Sequence, residues 1–209
     1  MIDLRAFAII DRLQRQFVGY IGSTAMGYYP VAGQAAFFVE IAPGIEINSI
    51  TNVVLKRANV RPGAMVVERT FGMLEVHGDS PADVREAADE VLAYLGAREL
   101  DRMRPKILAS EMIDRIDAHM TQIVNRFRAA SMVLEDDTLY ILEMVPAGYA
   151  GYAANEAEKA ADVNLIHVTV FGASGRLYLA GKRSDVLAAK RAAEAALDSL
   201  EGREVQGAS

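Results

Sequence analysis

Residues 39–60 read V-E-I-A-P-G-I-E-I-N-S-I-T-N-V-V-L-K-R-A-N-V, and a related stretch returns at 142–163 as L-E-M-V-P-A-G-Y-A-G-Y-A-A-N-E-A-E-K-A-A-D-V. Identical residues recur at one constant spacing, as for Glu40 and Glu143 (143 − 40 = 103). The other identical pairs are Pro43/Pro146, Asn52/Asn155, Lys56/Lys159, Ala58/Ala161 and Val60/Val163. This ungapped match indicates a duplicated domain, because solenoid repeats have periods of only about 20–50 residues.

The same spacing extends the match in both directions. It aligns Ile10-Asp11-Arg12 with Ile113-Asp114-Arg115, Val67 with Val170, Gly72 with Gly175, Leu74 with Leu177 and Gly78 with Gly181. One residue is then lost, and Asp83-Val84 meets Asp185-Val186 (185 − 83 = 102). We therefore predict two domains, residues 1–103 (copy one) and 104–206 (copy two), each near the common size of a domain.

The composition excludes several classes of function. Hydrophobic residues make up 52% of the 209 residues and charged residues 24%, which argues against global disorder. The absence of cysteine excludes disulfides, cysteine-ligated zinc, iron–sulfur clusters and thiol catalysis. A net charge of −6 without a basic cluster argues against nucleic acid as a partner. The apolar runs are too short for a signal peptide or a membrane span, so we expect a cytosolic protein.

Hydrophobic periodicity predicts the order β-α-β-α-β-β-α in each copy. Asn48 or Ser49 is the expected N-cap of the second helix, and Ser80 and Ser184 those of the last helix in each copy. Gly96 is the expected C-cap of the last helix in copy one. Residues 22–33 form a glycine-rich connector, whereas 129–137 are more strand-like. Helices that bury one face against a sheet give an α/β fold. Predicted strands cover 4–10, 34–41, 64–68, 73–78, 107–113, 138–144, 166–171 and 176–180.

The pattern strand–E-x-x-P-G–helix–K-x-A-N/D-V, followed by a strand pair with a short glycine loop and by an alanine-rich helix, resembles the bacterial microcompartment shell protein family. The segment V-V-E-R-T-F-G-M-L-E-V-H-G at 66–78 resembles the hairpin of its circularly permuted members. In both copies the strand that ends in Asp-Arg precedes the first helix, as the permutation requires. The resemblance implies two tandem, circularly permuted domains, each a mainly antiparallel sheet with flanking helices.

This resemblance implies a structural function. Three chains would supply six domains and close into a flat pseudohexamer, a homotrimer with cyclic symmetry. Such tiles pack edge to edge with other shell proteins around encapsulated enzymes, and a central pore passes metabolites. The family implies no catalysis, no cofactor and no metal, and places the protein in the shell of a cytoplasmic microcompartment.

The resemblance also assigns the pore to the loop between adjacent strands in each copy. The alternative is that these residues form ordinary tight turns, where glycine is expected in any case. The predicted pore-lining residues are Glu68, Arg69, Thr70, Phe71 and Gly72 of copy one, and Phe171, Gly172, Ala173, Ser174 and Gly175 of copy two.

Tile-edge contacts are implied for Lys56 and Lys159, and for Arg12 and Arg115. A lone lysine on a helix is usually only a solvated charge, but the recurrence of this lysine in both copies favours the edge. For the two arginines, the alternative is a local ion pair with the preceding aspartate, Asp11 or Asp114.

Other kinds of site have little support in the sequence. The loop at 170–176 begins like a dinucleotide-binding fingerprint, but a strand follows it where that chemistry needs a helix. His77, His119 and His167 lack metal-ligand spacing, and Asp136, Asp137, Glu156 and Glu158 are expected to be turn or surface charges. The alternative to a shell tile is a tandem α/β regulatory domain that binds a small metabolite between the copies.

Overall fold

The computed structural model describes residues 2–24 and 26–204, and each copy contains a four-stranded antiparallel sheet. The strands of copy one pair in the order β1-β2-β4-β3, and those of copy two in the matching order β5-β6-β8-β7. The expected antiparallel fold with flanking helices is confirmed. The strands are β1 (Asp3–Ile10), β2 (Ala35–Ala42), β3 (Arg61–Glu68), β4 (Phe71–Gly78), β5 (Lys106–Ile113), β6 (Thr138–Val145), β7 (Asn164–Thr169) and β8 (Gly175–Gly181).

Helices complete the predicted order β-α-β-α-β-β-α in each copy. No helix in residues 2–24 and 26–204 has the length and apolar character to cross a membrane. Short 3₁₀ turns lie at Gly44–Glu46 and Glu99–Asp101. The helices are α1 (Arg15–Thr24), α2 (Ile47–Arg57), α3 (Pro81–Leu95), α4 (Ala118–Asn125), α5 (Tyr149–Ala160) and α6 (Arg183–Asp198).

The central strands of the copy-one sheet, β2 and β4, are buried on both faces. Alternation along β2 points Phe37 and Val39 to one face, where α2 and α3 cover them. Phe38 points to the other face, under α1, and belongs to a core that continues into α5 of copy two. The two copies therefore share this second core, and copy two covers a face that copy one alone would expose.

Two helix boundaries match the expectations and two do not. Ser80 caps α3 by accepting from Asp83 N–H, and Gly96 ends this helix with a φ of 62°. Asn48 and Ser49 do not cap α2, which begins at Ile47 directly after the 3₁₀ turn and so needs no side-chain cap. Ser184 lies inside α6, because this helix already begins at Arg183.

The expectation that residues 129–137 are strand-like is wrong. Its backbone instead bonds along β7, with Ala129 N–H donating to Ile166 O and Ser131 N–H to Leu165 O. The Asn125 side chain then bonds both the N–H and the carbonyl oxygen of Val133. Side-chain bonding to the backbone replaces a regular ladder here, which asparagine commonly allows.

Candidate pore, edge and interface residues

The two predicted pore loops meet within one chain. Arg69 and Thr70 form the turn between β3 and β4, and Arg69 adopts a left-handed φ of 54°. In copy two Gly172 has a φ of 98°, which glycine adopts without strain. The Glu68 carboxylate lies beside this glycine, since a Cβ built on Gly172 would be 3.3 Å from Glu68 Oε2. The structure thus brings candidate pore residues of both copies together.

Two of the predicted pore glycines are required by close packing. A Cβ on Gly72 would lie 2.3 Å from the carbonyl oxygen of Gly44, and a Cβ on Gly175 2.5 Å from that of Ala147. Gly44 N–H also donates to Thr70 O at 2.7 Å. Each loop is therefore held against the segment that leads into α2 or α5, at the same place in both copies.

The repeated glutamates Glu40 and Glu143 support these loops in different ways. Glu40 is buried and accepts from Arg5 Nε at 2.6 Å and from Gly148 N–H at 2.8 Å. The Arg5 guanidinium in turn stacks on Phe71, 3.7 Å from the ring centroid. Burial raises the pKa of Glu40, although its bonds to Arg5 and the copy-two backbone oppose this shift. Glu40 therefore ties the candidate pore hairpin of copy one to copy two.

Glu143 contacts the candidate pore loop of its own copy. It accepts from Ser174 Oγ at 2.5 Å and from Arg176 Nε at 3.1 Å. The hydrogen bond from Ser174, followed by that from Arg176, lowers the pKa of this carboxyl. The copy-two loop is thereby anchored by a carboxylate that remains ionised at neutral pH.

The candidate edge residues lie at the far end of the sheet from the pore loops. Lys56 and Lys159 are exposed in the last turns of α2 and α5, and Arg12 is exposed just beyond β1. The pairing Ile41↔Gly72 marks the end of the sheet that carries the candidate pore loop, and Ile10↔Ala36 marks the opposite end. The two ends of the sheet are separated by the length of an eight-residue strand, about 25 Å.

The alternative for Arg115, a local ion pair with Asp114, is wrong, because Arg115 has a different partner. Arg115 lies 3.5 Å from Asp136 and both side chains are largely exposed, so this pair contributes little. Asp114 instead pairs with Arg183 at 3.1 Å. Arg115 has a left-handed φ of 55°, which turns the chain sharply after β5.

Contacts between the copies centre on α5. Asn155 is buried, its Oδ1 accepts from Gln14 N–H at 2.9 Å, and its Nδ2 donates to Arg12 O at 3.1 Å. Glu158 accepts from the N–H groups of Gln16 and Phe17 at 2.8 and 2.9 Å. Glu158 is therefore not merely a surface charge, because it caps the N-terminus of α1 from the other copy. This cap could not be predicted from the repeat, because the equivalent position in copy one is Leu55.

The histidines differ in their surroundings. Buried His77 pairs through Nδ1 with Glu75 at 3.0 Å, whereas exposed His119 lies 3.4 Å from Asp117. His167 packs edge-on against Phe127 and Tyr178. Within residues 2–24 and 26–204, no cluster of histidine and acidic residues is suited to a metal ion.

We expect His167 to make stability depend on pH. Burial, and secondarily Arg176, lowers the pKa of His167 below its ordinary 6.5. As the pH falls below about 6.5, the unfolded chain binds a proton that the folded chain resists, so stability present above this pH is lost. Because His167 is only partly buried, the effect is small, about 1–2 °C in melting temperature. Between pH 7.5 and pH 5.5, the melting temperature of His167→Gln should fall less than that of the unchanged protein. An equal fall in both proteins would contradict this role of His167.

Comparison with known proteins identifies the family. Residues 4–101 match the family model described as the CsoS1D N-terminal domain. The chain is 48% identical to the carboxysome shell protein CcmP of Synechococcus elongatus, over 99% of this chain and 97% of that protein. It is 41% identical to the carboxysome shell protein CsoS1D of Hydrogenovibrio crunogenus, over 96% and 98%. The chain belongs to this family of carboxysome shell proteins.

Solved structures agree with this assignment. The fused permuted hexameric shell protein MSM0275 from the RMM microcompartment superposes with a TM-score of 0.93 at 46% identity, covering 97% of this chain and all of that one. The double ringed trimeric shell protein MSM0271 from the same microcompartment gives 0.94 at 38% identity, covering 98% and 100%. The resemblance to permuted, tandem-domain shell proteins is confirmed.

Proposed function

We propose that this protein is a structural tile of a bacterial microcompartment shell, located in the cytoplasm. Three chains close into a pseudohexamer, with residues 1–103 and 104–206 of each chain as its two domains. The observation that supports this most is the full-length likeness to CcmP, a carboxysome shell protein. A ring of six similar domains follows from three chains that each carry the fold twice.

Each tile has a central pore and an outer edge. The pore is lined by Glu68, Arg69, Thr70, Phe71 and Gly72, alternating with Phe171, Gly172, Ala173, Ser174 and Gly175. The contact of Glu68 with the Gly172 loop supports this, because neighbouring pore loops must touch around an axis. Lys56, Lys159, Arg12 and Arg115 lie at the opposite end of each sheet, where a tile would meet other shell proteins. The protein bounds the compartment and passes metabolites, and it does not itself catalyse a reaction.

Solution mass tests this proposal. Light scattering should give three times 22.7 kDa, and negative-stain images of concentrated protein should show flat hexagonal arrays or tubes. A protein that remains a monomer or dimer and never assembles would contradict it. That result would favour the regulatory alternative, with a metabolite bound between the copies.

The edge assignment predicts the effect of removing the repeated lysines. Lys56→Ala and Lys159→Ala should leave the trimer intact and raise the concentration needed for arrays about tenfold or more, since a loss of about 1.4 kcal/mol in total association free energy corresponds to a factor of ten. Electron microscopy over a concentration series measures this, with light scattering as the control for the trimer. Dissociation of the trimer itself would show that these lysines lie elsewhere.

A further inference from the structure

Copy one contains a buried glutamate–histidine pair that copy two lacks. Glu75 and His77 point to the same face of β4, and both are fully buried. His77 Nδ1 lies 3.0 Å from Glu75 Oε1. The counterparts of these residues in β8 are Tyr178 and Ala180. Copy two forms the same sheet with these two neutral residues, so the fold does not require the pair.

Such a pair is costly to keep in a sheet. Removing ionisable groups from water has a free-energy cost that their mutual attraction does not always offset. Burial raises the pKa of Glu75, although its bonds to His77 and to the backbone of Gly63 and Ala64 oppose this shift. Ionisable groups with perturbed pKa values concentrate at functional sites. A buried pair that the other copy does without is therefore a candidate for a binding function.

The free atom of this pair is His77 Nε2. It is buried and has no hydrogen-bond partner within residues 2–24 and 26–204. Glu75 accepts from Gly63 and Ala64 N–H as well as bonding to His77, so these bonds assign the ring proton to Nδ1. Nε2 of the neutral ring then has a lone pair, and a hydrogen-bond donor from a ligand would satisfy it.

His77 lines a cavity of about 190 Å³ at the end of the copy-one sheet opposite the candidate pore loop. The wall of this cavity also includes Asp79 after β4, Asp83 in the first turn of α3, and Asn59 after α2. Its volume is that of about six water molecules in the liquid. The cavity therefore has room for a small molecule only.

The cavity offers more hydrogen-bond acceptors than donors. The Gln34 and Asn59 amide groups already donate to the two aspartates, to Asp79 Oδ1 at 2.8 Å and to Asp83 Oδ2 at 3.0 Å. The second oxygen of each carboxylate remains as an acceptor, together with His77 Nε2. A ligand that fits these atoms must bring several donors.

The charges in the lining favour a cation. Two carboxylates, Asp79 and Asp83, stand against one guanidinium, that of Arg61, which lies over the Tyr28 ring at 5.9 Å from its centroid. This excess of negative charge disfavours an anion at the start of α3. Across the described ranges 2–24 and 26–204, no cluster of histidine and acidic residues is suited to a metal ion. A cation that carries N–H donors fits both observations.

We propose that this cavity binds a small ammonium ion, either ammonium itself or a protonated primary amine. Its N–H groups donate to His77 Nε2 and to the free oxygens of Asp79 and Asp83, as charge-assisted hydrogen bonds. The site lies within one chain and does not depend on the proposed trimer. Copy two has no equivalent site, because Ala180 stands at the position of His77.

Titration of the full-length protein with methylammonium tests this proposal. In a long-range ¹H–¹⁵N spectrum of the histidine rings, the His77 Nε2 signal should shift, with a dissociation constant on the order of 10 mM, as expected for so small a ligand. His77→Gln identifies this signal by removing it. Tetramethylammonium has the same charge but no N–H group, so it should leave the signal unchanged at the same concentration.

The two copies supply a matched pair of variants. Asp83→Asn removes a carboxylate of the cavity and should weaken binding about tenfold or more. Asp185→Asn makes the same change in the first turn of α6 and should not alter binding. Thermal melts check that both variants fold, and Asp79→Asn replaces Asp83→Asn if that variant does not.

Several results would overturn the proposal. These are no response of His77 up to about 100 mM methylammonium, an equal response to tetramethylammonium, or equal binding by Asp83→Asn and the unchanged protein. A response to Zn²⁺ alone would also contradict it, because the bound cation would then be a metal. None of these results bears on the shell tile, which solution mass tests separately.

Discussion

Gly72→Ala is expected to destabilise the protein by about 3 kcal/mol, which corresponds to a fall of about 10 °C in melting temperature. The added Cβ would lie 2.3 Å from Gly44 O and 2.9 Å from Ile47 Cβ. The nearest atom belongs to the backbone, so no rotamer change relieves the clash, and the β3–β4 hairpin must separate from the segment before α2. Thermal and urea unfolding measure the loss.

Gly19→Ala is the matched control for this change. Gly19 lies inside α1, and a Cβ there would meet nothing within 4 Å. Alanine should therefore stabilise the helix by about 0.5–1 kcal/mol, because it reduces the freedom of the unfolded chain. If both substitutions had the same effect, the close approach of Gly72 to Gly44 would not be the cause.

Glu40→Ala is expected to cost about 3–5 kcal/mol, because it leaves the largely buried Arg5 charge without its carboxylate partner. It also removes the acceptor of the buried Gly148 N–H, so the contact between the copies should loosen. Thermal unfolding and limited proteolysis at the junction of the copies would report both effects.

Glu40→Gln separates charge from hydrogen bonding at this position. The amide oxygen can still accept from Gly148 N–H, so the loss should be smaller than for alanine. A loss for Glu40→Ala below about 1 kcal/mol would contradict the role of this glutamate, since exposed ion pairs contribute that little.

Much of each copy could be predicted from the sequence because its signals are local or repeated. Alternating apolar residues predicted the strands, and Ser80 and Gly96 marked the ends of α3 through short-range backbone geometry. Asn48 and Ser49 failed as caps because a 3₁₀ turn precedes α2, and Ser184 failed because α6 begins before it. Such boundaries depend on a few backbone dihedrals that neighbouring turns can change.

The sequence by itself determined the duplication, the order of elements in each copy and the family of the protein. Only the tertiary structure showed that Glu158 caps α1, that Glu40 binds the copy-two backbone, and that Glu68 lies against the Gly172 loop. These contacts join residues more than one hundred positions apart in the chain, up to 142 for Gln16 and Glu158. Each contact involves either a residue that differs between the copies or a backbone group. Neither periodicity nor repetition records such a contact, because it depends on how one copy packs on the other.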